Sequence, residues 1–241
     1  MVGTRADDLV GLINGIDIRL WNPARDRLLP ARYAVHDLTG KRVCRAALLK
    51  KHGMDEAYQG PVFGMVCRLT EQKGLDFLLA ARDFFVQQDC RLIVLGTGEK
   101  RFEDALRELA AAYPRKIALS LRHDEGMSHL IEAGADFFLM PSHFEPCGLN
   151  QMYSQAYGTV PVVTRVGGFV DTVTDIDERP EDGTGILCQP TEAEFIKALE
   201  RAVRFHAQKE RLAEVIKRGM TRDFSWQKAA TAYEQLYQNT I

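Results

Sequence analysis

The chain has 241 residues, 46% hydrophobic and 27% charged, with a formal net charge of −2. That is enough for one large or two small α/β domains, without the basic excess that nucleic acid or an anionic membrane surface would draw. Five scattered cysteines with no CxxC pair argue against a zinc site or a disulfide framework and for a reducing compartment, the cytoplasm or a plastid stroma.

No apolar run approaches a membrane span. MVGTRADD at the N-terminus has no apolar core after its charge, so it does not read as a signal peptide. Residues 1–35 carry no strong period, and Asn14-Gly15 and Asn22-Pro23 are turn signals. Arg42 to His52 has the spacing of a basic amphipathic helix through Val43, Ala46, Leu48 and Leu49, with Gly53 as its stop.

From Pro61 the pattern becomes regular. Strands are expected over Val62–Cys67, Arg91–Leu95, Lys116–Leu121, Phe137–Met140, Val160–Thr164 and Gly185–Cys188. Helices are expected between them, over Leu75–Val86, Phe102–Tyr113, Met127–Ala133, Leu149–Tyr157 and near Gly168–Val173. Glu192–His206 and Arg211–Met220 follow as further helices. This alternation means right-handed βαβ units and a doubly wound, Rossmann-like parallel sheet. The tail FSWQKAATAYEQLY is a helix with Phe224 and Ser225 at its start. Its stripe of Trp226, Ala229, Ala230, Tyr233, Leu236 and Tyr237 reads first as core packing.

The central stretch is FFLMPSHFEPCGLNQMYSQAYG, residues 137–158. Phe137–Met140 is apolar throughout, as in a strand buried on both faces. The loop His143-Phe144-Glu145-Pro146-Cys147-Gly148 then leads into a helix. Loops at the carboxyl ends of strands are where open α/β sheets bind ligands. The N–H groups of Gly148, Leu149 and Asn150 at the helix start suit a phosphate. Glu145, outside the apolar pattern, is odd for a pure anion site and suits sugar hydroxyls or a developing positive charge. Phosphate and sugar recognition in one loop points to a nucleotide sugar. Arg68 and Lys73 follow the first strand on the same rim, and two cations facing helix N–H groups form a pyrophosphate clamp. Leu95-Gly96-Thr97-Gly98 is half a dinucleotide fingerprint, with Arg101 at the third glycine position, and reads as a tight strand–helix turn.

FLMPSHFEPCGLNQMYSQAYGTVPVV closely resembles the matching stretch of bacterial glycogen synthases and plant starch synthases. These are retaining glucosyltransferases of the two-lobed GT-B fold, and the likeness runs from about Leu9 to Tyr237. RLTEQKG is similar to the family's R-L-x-x-Q-K-G, which implies that Arg68 and Lys73 hold the donor diphosphate and so call for no metal. Gly96 and Gly98 match a turn near the nucleotide. His123 stands where the family usually has a tyrosine stacked on the base. Cys147, Gly148 and Leu149 match donor-loop positions, Cys147 for backbone and packing contacts. Asn150 replaces a threonine there, and Val166-Gly167-Gly168 stands for a more usual Thr-Gly-Gly. Glu145 is implied to bind the glucosyl hydroxyls.

The resemblance also implies an organisation. Residues 1–35 would be an interdomain hinge and 36–241 the nucleotide-sugar-binding C-terminal lobe. Residues 223–239 would be a helix crossing to the other lobe, leaving part of its stripe exposed. That N-terminal lobe, with its Lys-x-Gly-Gly-Leu loop, is absent from this sequence. The expected function is transfer of glucose from ADP-glucose to an α-1,4-glucan held with the other lobe. ADP or ADP-glucose is the only small ligand, and this chain alone is catalytically incomplete. Two alternatives remain open: a GT-B transferase using UDP- or GDP-sugars, and a non-catalytic nucleotide-binding module. Asp175-Ile176-Asp177 has the DxD form of a manganese site, but it follows a helix inside an acidic run and reads as a solvated loop.

Overall fold

Six short apolar runs form the strands: β1 (Val62–Val66), β2 (Arg91–Leu95), β3 (Ile117–Ser120), β4 (Phe137–Met140), β5 (Val160–Thr164) and β6 (Ile186–Cys188). In this computed structural model, which describes residues 9–240, they pair in parallel in the order β3-β2-β1-β4-β5-β6. The N-terminal MVGTRADD lies outside the described residues. Strand order reverses at β1, whose neighbours are β2 and β4. A crevice therefore opens above the carboxyl ends of β1 and β4, the usual ligand position in such sheets.

Side chains alternate across the sheet, as a period of two requires. Phe63, Met65, Leu92, Val94, Phe137 and Leu139 enter one core. Val62, Ile93, Leu95 and Phe138 enter the other. Covering the first face are α2 (Leu75–Ala80), α3 (Arg82–Gln87), α4 (Lys100–Ala112), α8 (Glu192–His206) and α9 (Lys209–Thr221). The second is covered by α1 (Thr39–Lys51) and α5 (Glu125–Gly134). α6 (Asn150–Ala156) and α7 (Phe169–Thr172) follow β4 and β5, and α10 (Trp226–Thr240) ends the chain.

Three expectations change. The helix expected over residues 75–86 is two, broken at Ala81, where the Phe85 N–H reaches the Ala81 carbonyl only at 3.4 Å. In the second piece Phe84 and Phe85 both set their rings edge-on to Phe63. The α10 stripe is not core. Trp226 and Tyr237 are 51% and 63% exposed, while Ala229 is buried.

Nor is Asp175 solvated: it is 3% exposed. Its carboxylate accepts the Leu187 N–H at 2.7 Å, the Asp177 N–H at 2.9 Å and the Arg201 guanidinium at 2.7 Å. Burial pushes its pKa up, but these hydrogen bonds outweigh burial and hold it below the usual carboxylate value. Asp177 completes the pairing with Arg201 and Arg211. The DxD staples the chain after α7 to β6 and α8.

Residues 16–35 are irregular but packed. The Ile16 N–H donates to the Phe224 carbonyl at 2.8 Å, and Leu29 and Tyr33 join the second core. All five cysteines are free. Among the described residues, no helix is long and apolar enough to cross a membrane.

Buried titratable groups set an alkaline limit. Burial pushes the Cys90 and Cys188 thiols up to about 12 from 9.0. Above pH 9 the unfolded chain releases those protons while the fold retains them, so stability falls as pH rises towards 12. Lys41 acts oppositely. Burial lowers its amine to about 8, so its contribution to stability rises with pH from there to 10.5. Two thiols outweigh one amine, and above pH 10 buried Tyr33 and Tyr157, both pushed up by burial, add to the loss. The melting temperature is expected to fall steadily between about pH 9 and pH 11; a flat profile there would contradict this assignment.

Candidate functional site

Two adjoining cavities occupy the crevice. One, of about 360 Å³, is lined by Trp21, Arg68, Gly96, Thr97, Arg122 and His123 among others. The second, of about 380 Å³, is lined by Arg68, Lys73, Ser142, Glu145, Gly148, Leu149 and Asn150 among others. Arg68 belongs to both. It is exposed and makes no ion pair with another described residue.

Lys73 and Glu145 depart from the expected arrangement. Glu145 is a loop residue yet only 7% exposed, and the Lys73 ammonium donates to its Oε2. The two expected clamp cations are therefore unequal: Arg68 is open, and Lys73 already carries a counter-ion. Nor is Glu145 a solvated loop acid. Sequence reasoning treated these residues separately because they are 72 positions apart; only the β1–β4 adjacency unites them.

The 143–148 loop is held on three sides. The His143 N–H donates to the Gln72 carbonyl at 3.0 Å, and the Gln72 amide to the Phe144 carbonyl at 3.2 Å. The Gly168 N–H donates to the Glu145 carbonyl at 3.2 Å. The buried Gln151 amide donates to the Cys147 and Gly148 carbonyls, both at 3.0 Å. With those carbonyls drawn inward and no side chain capping α6, the N–H groups that open the helix are left for a ligand. Gly167 explains its own identity: φ is +44°, and a Cβ there would lie 1.9 Å from the Glu145 carbonyl oxygen. Only glycine lets the 165–168 turn support the loop this closely.

Other expected site residues sort by position. His123 is exposed on the first cavity beside Gly96. The Asn150 amide donates to the Val66 carbonyl at 2.9 Å, tying α6 to the end of β1 and leaving its oxygen for the crevice. Gly98, Cys147 and Gly167 line neither cavity. Gly98 donates its N–H to Glu103 at 2.9 Å, and a Cβ on it would meet the Leu69 carbonyl oxygen at 2.3 Å. These three shape the backbone around the crevice.

Sequence reasoning left several lining residues unassigned, Ser142 and Trp21 among them. Ser142, two residues past the end of β4, is buried on the second cavity with its Oγ lacking any hydrogen-bond partner. Its place at a strand's carboxyl end was the available signal. Trp21, read as part of a turn segment, lines the first cavity.

Comparisons with known proteins bear on family and fold. Residues 60–204 match the family model described as "Glycosyl transferases group 1". A protein named glycogen synthase from Opitutus terrae is 61% identical over 241 residues, covering 100% of this chain and 50% of that protein. Another of that name from Aeromonas salmonicida is 46% identical over 98% of the chain and 49% of its own length. The chain thus spans about half the length of these curated relatives. Among solved structures, the catalytic domain of starch synthase IV from Arabidopsis thaliana, bound to ADP and acarbose, superposes with a TM-score of 0.91. It is 33% identical and covers 99% of this chain and 50% of that one.

Proposed function

The chain belongs to the group 1 glycosyl transferases, and from that premise we propose that it is the donor-binding lobe of a retaining glucosyltransferase. In this reading the whole enzyme elongates an α-1,4-glucan from ADP-glucose. One observation carries it: Arg68, Lys73 and Glu145 converge on a crevice at the strand-order switch, in a chain that aligns end to end with half of glycogen synthases. The ADP bound to the starch synthase IV neighbour supports adenine as the base.

The residues divide the work by charge. The donor diphosphate lies against Arg68 and the α6 N–H groups. Lys73 then bridges a phosphate oxygen and Glu145, stabilising charge on the departing ADP. Glu145 keeps acceptor capacity beyond its single lysine bond and takes glucosyl hydroxyls; the unpaired Ser142 hydroxyl lines the same cavity. His123 stacks on the base. The charge of the leaving group is met by protein cations, so the reading names no cofactor besides the donor. The glucan meets the donor with the lobe that this sequence lacks.

Retaining transfer needs donor and acceptor held together in a water-poor cleft. The described chain offers one wall of such a cleft. ADP release from ADP-glucose in the presence of glycogen is therefore expected to stay at background with this chain alone. Sustained release that disappears in a Lys73→Ala variant would overturn the half-site reading.

A further inference from the structure

We propose that Trp21 is a nucleoside-recognition residue of the donor site, its indole edge closing the inner wall of the first cavity against the base. The proposal rests on the nucleotide-sugar reading above and extends it to a residue of the irregular segment before α1. Trp21 lines the cavity that also holds Arg68, Gly96 and His123. Arg68 is shared with the second cavity, where Lys73 and Glu145 lie. A diphosphate at Arg68 therefore directs its sugar towards Glu145 and its nucleoside towards His123 and Trp21.

The indole is fixed. It is stacked between His129, at 4.0 Å and 12°, and Tyr153, at 3.7 Å and 8°. His129 is held in turn by buried Asp26, whose Oδ2 lies 2.7 Å from Nδ1 and accepts the Tyr157 hydroxyl at 2.6 Å. Asp26 and His129 are 5% and 0% exposed. Swinging Trp21 out would break both stacks around this buried polar trio. With both faces covered, only the edge can meet a ligand. That edge is electropositive and carries the Nε1–H donor, which suits the ring nitrogens of a base. The indole is half-buried and lines the cavity. Preorganised contacts of this kind add affinity without ordering cost at binding.

The chain has two tryptophans, so Trp226→Phe leaves Trp21 as the sole indole emitter. In that variant ADP and AMP should both shift Trp21 emission, and inorganic pyrophosphate should not. Trp21→Phe retains a stacking ring but loses the Nε1 donor. It is expected to weaken ADP roughly three- to tenfold while leaving pyrophosphate affinity unchanged. ADP binding seen by calorimetry without an emission change would overturn the proposal. So would equal losses for ADP and pyrophosphate, which would mark Trp21 as structural. If the wild-type chain binds neither compound, the nucleotide-sugar reading fails and this inference fails with it. If it binds pyrophosphate equally well with or without a nucleoside, only this inference fails.

Discussion

Lys73→Ala is expected to weaken ADP binding by at least tenfold and to lower the melting temperature in the same variant. A hydrogen bond to a charged group contributes about 1.5–3 kcal/mol, which is roughly 10- to 150-fold in affinity. The upper part of that range applies, because Glu145 would remain as an unneutralised carboxylate facing the diphosphate. The stability loss has the same origin. Glu145 is almost fully buried, and stranding one partner of a buried pair costs about 3–5 kcal/mol. The Lys73 side chain is 21% exposed, so water offsets part of this and about 2–3 kcal/mol is expected. The double variant Lys73→Ala/Glu145→Gln separates the two effects. It should recover much of the melting temperature, since a neutral amide tolerates burial better, yet little of the ADP affinity. Recovery of both would mean that Lys73 only neutralises Glu145 and does not touch the ligand.

The largest loss of stability is expected far from the crevice. Asp175→Ala removes the acceptor of the buried Leu187 N–H and the counter-charge of Arg201. Breaking such a network costs about 3–5 kcal/mol, on the order of ten degrees in melting temperature for a domain of this size. Asp175→Asn keeps an acceptor but loses the charge, and should fall between. ADP binding should survive in either variant while it is folded, because Asp175 lines neither cavity. Melting within a degree or two of the parent would remove the staple from this account.

Asp175 also shows where sequence reasoning stops. An acidic run after a helix looks solvated, because three acceptor contacts from residues two, twelve and twenty-six positions away leave no local pattern. The strands were legible for the opposite reason: burial on both faces of a parallel sheet demands apolar runs, and Phe137–Met140 and Val160–Thr164 match their expected bounds. Helix ends were less clear. Asp124 caps α5 by accepting the Met127 N–H at 2.9 Å, three residues before the periodic pattern begins. The crevice motifs were recognisable because each follows a strand end. Their coupling was not, since the Lys73–Glu145 pair and the Trp21 stack depend on which strands and loops become neighbours.

The central claim is that the crevice between β1 and β4 is built for a diphosphate carrying a nucleoside. Calorimetric titration of this chain with ADP and with AMP tests it most directly. Both present the same base and ribose, and only ADP reaches Arg68, Lys73 and the α6 N–H groups with two phosphates. Loss of the outer phosphate should weaken binding roughly tenfold or more. Equal affinity for AMP and ADP would contradict the account.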